Sequence, residues 1–151
     1  MSLESWVEYG WLKPHKTSAQ EVRNLFDIVK RDLEDARKKD LSTDWRFGIA
    51  YNAGLKLCTI LLYASGYRPE KVLAHYRTIQ ALPLILGAAK EADANYLDRC
   101  RSVRNTVEYD QVGRTTAADV EELIRFVEEL EFESRQWLAK NFTELLRPEA
   151  I

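Results

Sequence analysis

A chain of 151 residues, 46% hydrophobic and 30% charged, suits one soluble domain with an ordinary core. Its formal charge of -2 and pI near 5.8 exclude a general nucleic-acid coat and leave room only for a focal basic patch. Cys58 and Cys100 stand in apolar surroundings without zinc-site spacing, which predicts buried thiols in a reducing compartment. With no leader-like start and no apolar run of roughly 20 residues, the expectation is a cytoplasmic protein without membrane contact.

The first sixteen residues carry Trp6, Tyr9 and Trp11 ahead of Pro14. So many rings are poorly solvated, so this segment is expected to pack as an aromatic arm across the helices or across a partner chain. Thr17-Ser18-Ala19-Gln20 has the form of a capping box and predicts a helix start. Val22, Leu25, Phe26, Val29, Leu33 and Ala36 then recur at helical spacing, with a stop near Asp40.

Ser42, Thr43 or Asp44 can cap the next helix, which runs to Gly66 and is apolar almost all round from Leu55 to Ala64. That pattern belongs to the central helix of a core. Its polar stripe of Asn52, Lys56, Thr59 and Tyr63 reads first as polar groups satisfied by neighbouring helices, and second as a ligand-facing row. Lys56 is the hardest of the four to bury. Gly48 and Gly54 allow another backbone to come close.

Gly66-Tyr67-Arg68-Pro69 breaks the chain, and Ala74 to Leu86 predicts a short helix kinked or ended at Pro83. His75 near its start and His15 are the two histidines, so any imidazole chemistry has to use one of them. A lone histidine is more often structural or exposed than catalytic. Gly87 to Glu91 is the next connection.

Tyr96 to Asp110, YLDRCRSVRNTVEYD, is the stretch where function is sought. At about 100° per residue Leu97, Cys100, Val103 and Val107 share one helix face, while Arg101, Arg104 and Glu108 fall on an arc of roughly 60° beside it. The charges either pair internally, Arg104 with Glu108 and Arg101 with Asn105, or border a site. Beyond the polar loop Gln111 to Thr115, a second capping box at Thr116 to Asp119 opens one long final helix. Its apolar positions run from Val120 to about Leu146, ahead of Pro148. Glu121, Glu122, Glu128, Glu129, Glu131 and Glu133 make its exposed side acidic, a solvated face rather than a metal site, because no histidines accompany them.

No phosphate-binding loop, dinucleotide fingerprint, paired-cysteine motif or nucleophile elbow is present, and no alternating runs predict a sheet. The expected fold is all-α, a bundle of four to five helices with a long C-terminal helix. Its expected organisation is an aromatic arm over residues 1–16, one bundle over 17–147 and a tail over 148–151. Nothing in the sequence calls for a metal or a cofactor.

The central AYNAGLKLCTILLYASGYRP, then HYRTIQALPLILG, then RCRSVRNTVEYD and a long final helix together resemble the HEPN superfamily, over about Trp11 to Leu146. Arg104-Asn105 followed by Tyr109 is the most specific part, resembling the family motif's arginine and adjacent polar residue. The resemblance implies a small helical protein that dimerises to join two motifs in one cleft. Many such proteins are metal-independent ribonucleases or toxins of toxin-antitoxin pairs; others bind nucleotides or accompany nucleotidyltransferases.

The chain departs from the catalytic pattern where that family carries a histidine after four to six intervening residues: those positions are Tyr109, Asp110 and Gln111 from Arg104, and Thr106, Val107 and Glu108 from Arg101. Cleavage through a 2′-hydroxyl needs a proton acceptor near neutral pKa, and a tyrosine at about 10 is a poor one. The expectation is therefore a homodimeric protein that binds nucleotide or RNA through Arg101, Arg104, Asn105, Tyr109 and Lys56, without nuclease activity. Two alternatives stand beside it. One is a ribonuclease with a rearranged site, for which Arg104, Tyr109 and His75 are the catalytic candidates; the other is a structural partner, for example of a nucleotidyltransferase.

Overall fold

The computed structural model describes residues 1–109 and 115–147, with the backbone alone for 107–109. Among these residues the chain is all-α apart from one small ribbon. Its order is α1 (Leu3–Glu8), β1 (Leu12–Pro14), α2 (Ala19–Ala36), α3 (Thr43–Ala64), β2 (Tyr67–Pro69), α4 (Ala74–Gln80), α5 (Leu82–Leu86), α6 (Glu91–Tyr109) and α7 (Ala117–Asn141), with 3-10 turns at Ala88–Lys90 and Thr143–Leu146. The tail expected over 148–151 lies outside the described residues.

Helix α3 is the axis of the bundle because its side chains are apolar almost all round from Leu55 to Ala64 and most of them are buried. It packs against α2, α7, α6 and α4, and Ala50, Leu57, Ile60, Leu61 and Leu62 are fully buried. By length and composition α3 could cross a bilayer, yet 67% of that apolar window is buried by the other helices. At Gly54 the bundle closes most tightly. A Cβ there would lie 3.1 Å from Leu97 Cδ1 and 3.4 Å from Val127 Cγ2, so the missing side chain lets α6 and α7 approach the same turn of α3.

Several boundaries differ from the sequence expectation, each for a local reason. Ser18, one residue after Thr17, caps α2 by accepting from the Glu21 amide at 3.1 Å, while Thr17 donates to the Glu21 carboxylate at 2.8 Å. The helix ends at Ala36, short of Asp40, where the buried Arg46 Nε donates to the Ala36 carbonyl at 2.7 Å. Helices α4 and α5 are separate, broken at Ala81, with Pro83 in the first turn of α5 where its missing N–H costs nothing. Helix α7 stops at Asn141 rather than Leu146. Asn141 and Thr143 there donate their side chains to the carbonyls of Trp137 and Ala139, and the 3-10 turn that follows packs back on α2.

The ribbon was not expected. β1 and β2 pair antiparallel with Leu12 opposite Pro69 and Pro14 opposite Tyr67, and Gly10 and Gly66 at positive φ turn the chain into the first and the second strand. It pins the aromatic arm to the bundle, where Leu3, Trp6 and Leu12 form a second cluster with Leu62 and Ala81. The arm thus covers helices of its own chain. Across the bundle the acidic side of α7 is partly used in ion pairs, Glu121 with Arg46 at 3.4 Å and Glu128 with Arg37 at 2.9 Å. Both cysteines are buried and free, and burial pushes the Cys58 thiol up to about 12 and the Cys100 thiol up to about 11.

Candidate functional site

Helix α6 presents its motif as the helical projection requires. Leu97 and Cys100 are buried, Val103 packs at the margin of the core, and Arg101 and Arg104 are half-buried beside them. Arg104 owes its depth to Gly48 of α3, since its Cγ lies 3.6 Å from where a Cβ on Gly48 would stand. The aliphatic stem crosses bare backbone, and the guanidinium is carried over the ring of Tyr51, at 6.0 Å from its centroid. Arg101 donates from Nε to Asp98 at 2.8 Å and stands 5.9 Å from the Tyr76 ring of α4. The pairing of Arg101 with Asn105 that four-residue spacing allowed is replaced by this one, and Asn105 instead accepts a long 3.5 Å contact from Arg104 Nη1.

Two further groups complete the constellation. Tyr51 is 2% exposed, and its hydroxyl has no hydrogen-bond partner among the described residues. Burial raises its phenol pKa, while the charges of Arg101 and Arg104 pull the other way. His75, at the start of α4, is exposed on one side, and its imidazole pKa is lowered first by partial desolvation and then by the charges of Lys56, Arg104 and Arg101. Elements far apart in sequence therefore bring three cations to bear on one imidazole: Lys56 from α3, and Arg101 and Arg104 from α6. Each makes protonation of the ring harder. At neutral pH the ring is held in its neutral form, able to accept a proton or a hydrogen bond.

A comparison with protein-family models, curated proteins and solved structures found no match. The reading of the site consequently rests on its own geometry. Three cations, a neutral imidazole and an unpartnered phenol suit an anion with several oxygens, such as phosphate, better than an apolar or cationic ligand.

Of the residues singled out in sequence, Arg101, Arg104 and Lys56 all act electrostatically on His75, and Asn105 touches Arg104 at 3.5 Å. The side chain of Tyr109 lies outside the described residues. The polar stripe of α3 divides. Asn52 Nδ2 donates to the buried Asp32 at 2.7 Å and Thr59 donates to its own helix at Leu55 at 2.9 Å, while Tyr63 stacks on His15 with centroids 4.2 Å apart. Those three serve the fold, and Lys56 acts by its charge on His75. Arg99 faces elsewhere, into a cavity of about 370 Å³ shared with Phe47, Tyr96 and Cys100. Sequence reasoning missed Tyr51, Tyr76 and Asp98. Tyr51 follows Gly48 by three residues and faces the same helix, which was a legible signal: a phenol within an aliphatic core helix needs a partner for its hydroxyl.

Proposed function

We propose that this protein is a HEPN-like, cytoplasmic homodimer that binds the phosphate of a nucleotide or an RNA at the cluster formed by Lys56, Arg101, Arg104 and His75. One observation carries the reading: Arg104 lies 6.0 Å from the ring of the buried Tyr51, whose hydroxyl is unpartnered among the described residues, and the charges of Arg101, Arg104 and Lys56 act together on His75. A phosphate bound at such a group of cations supplies both an opposite charge and several acceptor oxygens. Asp98 offsets one of the positive charges and fixes the angle of Arg101.

Arg104→Lys tests this directly. The ammonium keeps the charge and loses the planar fork, so nucleotide or RNA affinity at low salt is expected to fall about tenfold, with the melting temperature within a degree or two of wild type. Calorimetry or fluorescence titration beside thermal melting reads both. A variant that melts several degrees lower, from a wild type that binds neither ligand, would make the arginine a structural clamp.

A second reading is favoured by the closeness of His75 to the two arginines. A neutral imidazole there could take the proton of a ribose 2′-hydroxyl as that oxygen bonds to phosphorus and the P–O5′ bond breaks, with water protonating the leaving 5′-oxygen and the arginines holding the phosphoryl oxygens. RNA cleavage that persists in chelator and vanishes in His75→Ala would establish this reading; no cleavage leaves the site a binding one.

A further inference from the structure

The phosphate cluster does not end at His75. The next two residues of α4 continue it: Tyr76 lies beside Arg101, and Arg77 lays its guanidinium on the ring of Trp11, with Cζ 3.5 Å from the centroid. Arg77 also stands 5.7 Å from the Tyr76 ring, so that one ring is the common neighbour of two guanidiniums. Trp11 in turn touches Tyr9 at 4.9 Å between centroids, and Tyr9 is 55% exposed at the end of the row.

Arg77 is the unusual member. It is half-buried, its Nε is buried without a hydrogen-bond partner, and among the described residues its side chain makes no ion pair. Buried guanidinium N–H groups are normally satisfied, and this one has instead been oriented by an aromatic face with its remaining edge unengaged. A cation fixed in this way is a second anion site, separated from Arg101 by an aromatic ring. Aromatic faces interleaved with basic groups are what a flexible polyanion with planar bases requires, since every base has a face to stack and every step carries a phosphate.

We infer that the site takes a single-stranded nucleic acid several nucleotides long, which runs from Arg101 and Arg104 across Tyr76 and Arg77 of α4 to Tyr9 on the aromatic arm. This rests on the phosphate-binding reading above and narrows its ligand. The aromatic arm is then part of the binding surface as well as a cover for the helices.

Fluorescence anisotropy at low salt tests it with a labelled 12-nucleotide single-stranded RNA, the DNA of the same sequence, the RNA duplex and a nucleoside monophosphate as competitor. Both single strands are expected to bind more tightly than the duplex. Arg77→Gln should weaken 12-mer binding about tenfold and lower the slope of log affinity against log salt by about 1, while leaving the monophosphate affinity unchanged. Tyr9→Ala should weaken the 12-mer several-fold and Tyr9→Phe should restore it, a pair of variants at an exposed position where folding is not at stake. If Arg77→Gln and Tyr9→Ala both leave 12-mer binding intact while Arg104→Lys weakens it, the track is wrong and the phosphate site stands. Equal affinity for the duplex, or Arg77-dependent binding of an acidic peptide with none of the oligonucleotides, also overturns the track. If neither the monophosphate nor any oligonucleotide binds wild type, both readings fall together.

Discussion

Leu97→Ala is expected to lower stability by about 3 to 5 kcal/mol, the largest effect of any single truncation on the motif helix. Leu97 is fully buried, and its Cδ1 rests against the bare backbone of Gly54. Removing its three outer carbons leaves a hole between α6 and the bare backbone of α3 at Gly54. For a domain of this size the melting temperature should fall by roughly 10 °C. The same geometry predicts a rescue. Gly54→Ala points a methyl into the space vacated, so it should recover part of the loss in the Leu97→Ala background. In wild type it forces Leu97 aside and cannot yield the same gain. Denaturant melts of the four proteins of this cycle measure the coupling.

Arg46→Ala should cost about 2 to 4 kcal/mol, for a different reason. Arg46 is buried on α3 and its Nε serves the last carbonyl of α2, at Ala36, while Glu121 beyond it is half in water. Truncation thus orphans a buried carbonyl and removes the packing of the aliphatic stem, without stranding a buried charge. Arg46→Met restores the stem alone. Its loss should be smaller than that of alanine by about 1 to 2 kcal/mol, a difference that separates packing from the hydrogen bond. Equal losses in both variants would assign the whole effect to the capped carbonyl.

What was legible in the sequence followed from periodicity. The apolar repeats of α2, α6 and α7 and the all-round apolarity of α3 place these helices within a few residues of their observed bounds, because burial of a stripe is set by side-chain spacing. The ends were less legible, since they depend on single hydrogen bonds. Ser18 and Thr17 are chemically alike, and the choice between them turns on which hydroxyl reaches the Glu21 amide. The ribbon gave no signal: each of its strands is three residues long and ends in proline, too short to alternate. At the site, Arg101 and Arg104 were evident from their place beside Leu97 and Cys100. Lys56 and His75 were candidates beside them, whereas Tyr51 was not, because it meets Arg104 only through the packing of α3 against α6.

The charges acting on His75 have a consequence for pH. The imidazole pKa of His75 is lowered in the folded chain, so between that value and the usual imidazole pKa of about 6.5 the unfolded chain holds more protons. Stability should therefore decline as pH falls through this window, and the decline should be shallower in His75→Gln.

Direct titration of His75 by nuclear magnetic resonance is the measurement closest to the central claim, since the chain has two histidines and His75→Gln assigns the signal. The cationic cluster predicts a pKa below 6.5 in the free protein. It should move up part of the way when salt screens the neighbouring charges, and rise on adding a nucleoside monophosphate, whose phosphate favours the imidazolium. A His75 that titrates at the ordinary value and does not respond to the nucleotide would contradict the account.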